Sequence, residues 1–400
     1  MAKGALARRV VVTGVGVVSC VGIGKDAFFE GICGPQPKGE RRVEDFDPLV
    51  FFDPKEARRT DRFAQFSLAA AALALTDAGE ISPDPIRSGV IFGSGVGGLG
   101  TLQLQIATLI EKGPRRVSPF LVPMIMANAG AAAISMRFGY RGPCETIVTA
   151  CAAGTQSIGN AYRLIKDGRC DTVITGGAEA AMSPVEDMPS IGITAFTNMT
   201  ALSSSGASRP YDVARDGFVI AEGGAALILE ELDRARLRGA HIYGEVLGAA
   251  STADAYHITA PAPEGLGARE CMELALEDAG LTPDDIVHIN GHGTSTPLND
   301  LAEAQAIEKL FGAPGPPVTS IKGITGHSLA AAGALEAVAV LLCFEHGLIP
   351  PTAGCENVDP DIHIDVVKGE PRALQKGPVL SNSFGFGGHN GCLVLSPLEY

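Results

Sequence analysis

The stretch TIVTACAAGTQSIGNAYRLI, residues 146–165, changes character at its centre. Thr146–Thr149 is β-branched and reads as a strand, whereas the small and helix-forming residues from Ala152 carry a helix toward Asp167. A second stretch, VTSIKGITGHSLAAAGALEAV (318–338), follows the same order of strand, small-residue turn and helix. GFVIAEGGAALILEE (217–231) is related in the same way to FGFGGHNGCLVLSP (384–397). This internal similarity predicts two like halves, packed so that both helix-opening turns meet at a shared centre.

Outward from that stretch, strand-like and helical runs alternate: Arg9–Val15, Phe63–Ala78, Gly89–Gly93, a helix before Gly139, then Glu145–Thr149. Alternation of this kind predicts a layered α/β fold. A charged helical segment, Glu230 to Arg238, ends at Gly239, and a strand pattern resumes at Ile242. The expected division is therefore 1–240 and 241–400.

With 400 residues, 46% of them hydrophobic, the chain can bury two domain-sized cores. Its formal charge of −14 excludes general nucleic-acid binding. The clusters Lys55/Arg58/Arg59/Arg62 and Lys112/Arg115/Arg116 read as solvated faces or as a dock for an acidic partner. Nine cysteines without a C-x-x-C pair form neither a disulfide framework nor a zinc site, and they fit a reducing cytoplasm. Arg8-Arg9 before the apolar run Val10–Ile23 imitates a secretory signal, but no small-residue cleavage site follows, so a buried strand and turn is expected. Leu329–Phe344 is interrupted by Glu336 and reads as too short to cross a bilayer, so no membrane association is expected.

Among the cysteines, Cys151 alone lies at a strand-to-helix junction. Unsatisfied N–H groups and the helix dipole there favour a thiolate, which predicts a nucleophile with a lowered pKa. The remaining eight suit the ordinary role of small buried hydrophobes. His292 is flanked by Gly291 and Gly293 at the end of a hydrophobic run, and His327 lies in a second helix-opening turn, five residues after Lys322. Both are candidate partners of the thiol. His288 and His292 are four apart, yet their segment is strand-like, so the rings do not share a helical face and no metal site is expected. Gly93, Gly95 and Gly98 spell G-x-G-x-x-G after a strand, which supports a rival dinucleotide reading. Glu111 matches the required acidic position poorly, so a glycine-rich turn lining a substrate pocket is the better expectation.

Taken together, VVVTGVGVVS, DRFAQFSLAAAALALTDAG, GSGVGGLG, RRVSPFLVP, TACAAGTQSI, SRPYDVARDGFVIAEGGAALILEEL, NGHGTSTPLND, IKGITGHSLAAAGALE and SNSFGFGGHNG span nearly the whole chain. In these motifs the sequence resembles the elongating β-ketoacyl-acyl-carrier-protein synthases of the thiolase superfamily. The resemblance implies a thiolase-like fold, two similar α/β halves in an α-β-α-β-α arrangement. It implies that Cys151 takes up an acyl chain and that His292 and His327 donate hydrogen bonds to the malonyl thioester oxygen. The backbone N–H groups of Cys151 and Phe386 would form an oxyanion hole. Lys322 would tune the histidine pair, with Glu336 as its buried acidic companion, grouped with the substrate-binding residues. Thr294 and Thr296 would contact the phosphopantetheine arm, Phe386 in GFGG would be a gate beside the substrate-binding Gly385, and Val96 and Phe196 would line the acyl pocket.

A cysteine with two histidines, rather than cysteine, histidine and asparagine, implies elongation rather than priming. The implied partners are acyl carrier protein, malonyl and acyl thioesters, and a second copy of the chain; no cofactor is implied beyond the carrier's phosphopantetheine. Three departures stand out: NGHGTST for the commoner N-A-H-G-T-S-T, His389 where many relatives have threonine, and Thr200 where an arginine often helps bind the carrier. Lys55, Arg58, Arg59, Arg62, Arg115 and Arg116 are therefore the candidates for carrier docking. Alternative functions are a polyketide ketosynthase, a non-catalytic chain-length partner, which usually lacks the cysteine, and an NAD(P)-dependent oxidoreductase.

Overall fold

The computed structural model describes residues 8–182 and 188–398. Its first strand, β1 (Val10–Ser19), is buried along its whole length, as a continuous apolar run requires. Gly14 and Gly16 let the alanine-rich helix Arg62–Ala78 lie directly on it: a Cβ at Gly16 would stand 2.1 Å from the Ala70 carbonyl. The N-terminal run is thus a core strand, as the sequence predicts.

Besides the two-residue strand Gly22–Ile23, which pairs with β1 at the side, the sheet strands of the first half are β2 (Ser88–Gly93), β3 (Cys144–Ile147), β4 (Thr172–Glu179) and β5 (Gly223–Glu231). Those of the second are β6 (Gly244–Ala253), β7 (His288–Asn290), β8 (Val318–Thr319), β9 (Val379–Gly385) and β10 (His389–Ser396). Across the sheet they run β3-β2-β4-β5-β1-β6-β10-β9-β7-β8. From the central β1–β6 pair outward, each half therefore repeats one order. The directions repeat as well, since β2 is parallel to both β3 and β4 while β7 is parallel to both β8 and β9. This is the duplication expected from the paired stretches.

Helices Ala153–Lys166 and Ala332–His346 touch strands of both halves. Helices Arg62–Ala78 and Ala129–Phe138 cover the outer face of the first half, and Leu266–Ala279 covers that of the second. Three apolar cores fill the spaces: a central one joining Val12, Ile158, Leu335 and Leu393, and two outer ones around Phe66 and Met272. The layers are α-β-α-β-α.

Three expectations are adjusted. Glu230 and Glu231 finish β5 rather than opening a helix; the helix is only Leu232–Leu237, and the Glu231 carboxylate accepts the N–H groups of Asp233 and Arg234 at its start. The next strand begins at Gly244, not Ile242. The Leu329–Phe344 run belongs to an 18-residue helical stretch, Leu329–His346, whose length and composition would suffice to cross a membrane. It is 83% buried inside the protein, as the central helix of the fold.

Candidate active site

β3 ends at Ile147, and a tight turn, Ala150–Ala152, opens the helix Ala153–Lys166. Ala150 has φ +49°, a conformation rare without glycine, which turns the chain sharply before Cys151. In the second half Leu329 has φ +51° and opens the turn Leu329–Ala331 before the helix Ala332–His346. The two helix starts meet: a Cβ at Gly333 would lie 2.0 Å from Thr155 Oγ1, and one at Gly154 would lie 2.8 Å from the Ala330 carbonyl. Ala330 thus occupies in the second half the place of Cys151 in the first. The second half inserts the short helix Lys322–Thr325 and His327 before its turn, and this insertion carries the ring to the sulfur. His327 Nε2 is 3.1 Å from Cys151 Sγ.

Cys151 is buried, and burial pushes its thiol up to about 12, although the Lys322 charge and the backbone N–H groups of Phe386 and Cys151 pull it down. The expectation of a lowered pKa is therefore corrected: desolvation outweighs the cationic and N–H stabilisation around the sulfur, and the free enzyme holds a thiol.

His292 stands between β7 and the helix Pro297–Phe311. Glu303 fixes its backbone, accepting the N–H groups of His292 at 2.7 Å and Gly293 at 2.8 Å. Lys322 Nζ fixes its ring, because it lies 3.2 Å from Nδ1 and also donates to the His292 carbonyl at 2.6 Å and to Glu336. An ammonium has three donors and no acceptor, so these three partners use all of them and make Nδ1 the acceptor. The ring proton of His292 is consequently on Nε2.

His327 reaches the same state by another route. Its Nδ1 is buried without a partner, so a proton there would be orphaned, whereas a proton on Nε2 points at the sulfur. Burial first, then the Lys322 charge, holds both imidazoles well below the usual histidine range, and each is neutral. Their ring centroids are 5.3 Å apart at 84°. Two neutral N–H donors beside one thiol can stabilise a negative oxygen without first giving up a proton.

Cys151, His292 and His327 open onto a cavity of about 570 Å³, lined also by Val96, Phe196, Thr294, Thr296, Gly385 and Phe386. The structure thus brings together nine of the candidate site residues, and Gly95 and Thr200, also singled out in the sequence, line the same cavity. Gly385 has to be glycine, since a Cβ there would stand 2.9 Å from the Thr149 carbonyl and 3.0 Å from Cys151 N. Phe386 lies against Phe196, with centroids 6.5 Å apart. Thr296 caps the helix Pro297–Phe311 and shares a 2.9 Å hydrogen bond with Thr294.

Lys322 and Glu336 do not line the cavity; they form a buried ion pair behind His292. Glu336 is therefore a support for Lys322 rather than a substrate contact, and burial pushes its carboxyl up to about 7 against the pull of Lys322. None of the six basic docking candidates lines the cavity. Among them Arg62 is only partly exposed, its guanidinium held by Glu222 at 2.7 and 3.0 Å and by the Val43 carbonyl. Lys55, Arg58, Arg59, Arg115 and Arg116 are exposed, and Arg59 lies 4.1 Å over Phe120, which draws the two basic segments together.

The glycine loop after β2 lines the cavity as expected, and its Gly95 N–H is occupied by the Glu179 carboxylate at 2.7 Å. Glu179 and Glu303 were not foreseen. For Glu303 a signal exists: with Asp300 it sits three residues apart on the buried face of a helix otherwise lined by alanine and isoleucine.

Profiles described as "Beta-ketoacyl synthase, N-terminal domain" and "Beta-ketoacyl synthase, C-terminal domain" match residues 34–235 and 243–356. This chain belongs to the β-ketoacyl synthase family. The synthase is 44% identical to the 3-oxoacyl-[acyl-carrier-protein] synthase 2 of Synechocystis over 98% of this chain and 99% of that protein. It is 42% identical to the protein of the same name from Coxiella burnetii, over 97% and 98%. Its structure is similar to a β-ketoacyl synthase from Burkholderia phymatum, with TM-score 0.88 and 31% identity over 98% of this chain and 100% of that one. It is equally similar, at TM-score 0.88 and 32% identity over 98% and 100%, to a type II polyketide ketosynthase solved with its acyl-carrier protein. Against the dinucleotide reading, the Gly95 N–H that a pyrophosphate would need is taken by the Glu179 carboxylate.

Proposed function

We propose that this synthase extends an acyl chain by decarboxylating condensation, joining acyl-ACP and malonyl-ACP to give 3-oxoacyl-ACP, carbon dioxide and free ACP in fatty acid elongation. The observation that carries the reading is the thiol of Cys151 placed 3.1 Å from one neutral imidazole and beside a second, at the head of an apolar-walled cavity. The nucleophile stands on residues 1–240 and both imidazoles on residues 241–400.

In the first step Cys151 takes the acyl group, and its proton leaves on the carrier's sulfur. Malonyl thioester then binds with its carbonyl oxygen between His292 Nε2 and His327 Nε2. Loss of carbon dioxide leaves an enolate whose charge falls on that oxygen, and each donor is worth about 10²–10³-fold in rate by analogy with other oxyanion sites. The enolate carbon attacks the Cys151 thioester, and the tetrahedral oxyanion is held by the N–H groups of Cys151 and Phe386. Collapse breaks the bond to Cys151 and releases its thiolate, which takes up one proton from solvent to restore the thiol. Thr294 and Thr296 bind the pantetheine arm, and the exposed Lys55, Arg58, Arg59, Arg115 and Arg116 meet the acidic carrier.

The protein acts as a cytoplasmic homodimer in this reading. Among the described residues β3 is an edge strand with exposed Cys144 and Glu145, and Met136, Ile110 and Val148 are exposed apolar side chains. Sedimentation should give twice the 41.2 kDa chain mass, and a 41.2 kDa species would contradict it.

The test is product identity with purified protein, acyl-ACP and malonyl-ACP. One two-carbon extension per carbon dioxide is expected; no carbon dioxide, or hydrolysis to free acid alone, contradicts the proposal. Repeated extension without reduction would assign the polyketide alternative instead.

A further inference from the structure

Four carboxylates line the cavity: Glu179, Asp216, Asp254 and Glu303. Three have both oxygens hydrogen-bonded by the protein. Asp216 accepts from Ser203, Ser204 and Ser205; Asp254 from Asn390 and the Ala262 N–H; Glu303 from His292, Gly293 and Tyr211. Glu179 differs, because its Oε1 has no hydrogen-bond partner while its Oε2 accepts the Gly95 N–H at 2.7 Å.

Glu179 is the last residue of β4 and is wholly buried. Its carboxyl occupies the space a side chain at position 95 would need, since a Cβ there would lie 2.6 Å from Oε2. The N–H groups of Val96 and Ala180 also face the carboxyl. Two backbone bonds anchor the loop's ends, Ser94 N–H to the Ile147 carbonyl and Gly98 N–H to the Ile125 carbonyl, both 3.2 Å. In the middle of the loop the Gly97 N–H is held from within by Ser94 Oγ at 3.1 Å, and Gly95 rests on Glu179. That loop carries Val96 to the cavity wall and leads into Leu99, which joins Phe196, Ala181 and Leu329 in the apolar cluster around Cys151.

Resting on the proposed condensation, we propose that Glu179 is a positioning residue that sets acyl-chain selectivity: it fixes the Gly95–Val96 segment as the wall along which the first carbons of the acyl chain lie. Malonyl decarboxylation, on the histidine side of the sulfur, does not depend on it. Burial pushes the Glu179 carboxyl up to about 8, so the neutral amide of glutamine is its close mimic.

The experiment measures acylation of Cys151 by intact mass, using acyl-ACPs of graded chain length, and carbon dioxide release from malonyl-ACP in a Cys151→Gln background. With Glu179→Ala, kcat/KM for acylation by long chains should fall about tenfold or more relative to short chains, while carbon dioxide release stays within about twofold. Glu179→Gln should restore the wild-type length profile. Gly95→Ala, which displaces the carboxyl from the other side, should lower long-chain relative to short-chain acylation as Glu179→Ala does, and it decides the matter if Glu179→Ala does not fold. An unchanged length profile in both Ala variants, an equal loss of carbon dioxide release, or failure of glutamine to restore the profile would overturn the assignment. Absence of acylation in the wild type would instead sink the condensation reading itself.

Discussion

Around Cys151 the protonation states are set by burial. Both imidazoles are held below their usual range, so neither gains a proton as pH falls through 6.5. With Glu336, whose carboxyl sits at about 7, also replaced by Gln, carbon dioxide release by Cys151→Gln should accordingly be flat between about pH 6 and 8; a loss centred near 6.5 would then show that one ring titrates normally. Replacing His292 or His327 by Ala in that background should lower the rate by about 10²-fold or more, read as carbon dioxide released from malonyl-ACP. Unaltered rates would remove the rings from the chemistry. Lys322 acts through His292 and is matched by Glu336 at 1% side-chain exposure. Lys322→Met leaves that carboxyl buried and unpaired, at an expected cost of about 3–5 kcal/mol in urea unfolding, much of it recovered when Glu336→Gln is added. A cost below about 1 kcal/mol would mean that the pair is not built as described.

At the scale of elements, one close approach and one silent histidine are informative. Gly333 sits where the two central helices start, with Thr155 in the space of its missing Cβ. Gly333→Ala should destabilise the protein by about 1–3 kcal/mol or more, seen as a lowered denaturation midpoint. His288 in β7 is buried with both ring nitrogens unpartnered, and burial depresses its pKa to about 3. The unfolded chain therefore binds a proton below about pH 6.5 that the folded chain refuses, and stability is lost as pH falls. His288→Leu removes that loss, so its stability relative to wild type should rise by about 1.4 kcal/mol between pH 7.5 and 5.5. A pH-independent difference would contradict a neutral buried ring. Strand and helix positions were legible because apolar runs and glycine turns are local signals. The ending of β5 at Glu231 was not, because two glutamates that finish a buried strand have the composition of a helix start.

The whole molecule is a duplicated sheet whose two helix-opening turns face each other, and the chemistry sits on what breaks the symmetry. Cys151 has alanine as its counterpart, while the insertion holding Lys322 and His327 exists only in the second half. The internal likeness of residues 146–165 and 318–338 made this centre readable, along with the three residues that meet there. What the sequence hid depends on distant partners. A helix start suggests an ionised thiol until desolvation is known, Arg62 looks free until Glu222 is brought to it, and Glu179 looks like an ordinary strand-end charge.

The central claim is that one sulfur accepts the acyl chain. After incubation with acyl-ACP, intact-mass analysis and peptide mapping should find a single acyl group, carried by the peptide that contains Cys151. It should be absent in Cys151→Ala, whose circular dichroism should match the wild type. Acylation at another residue, or undiminished acylation of the Cys151→Ala protein, would contradict the account.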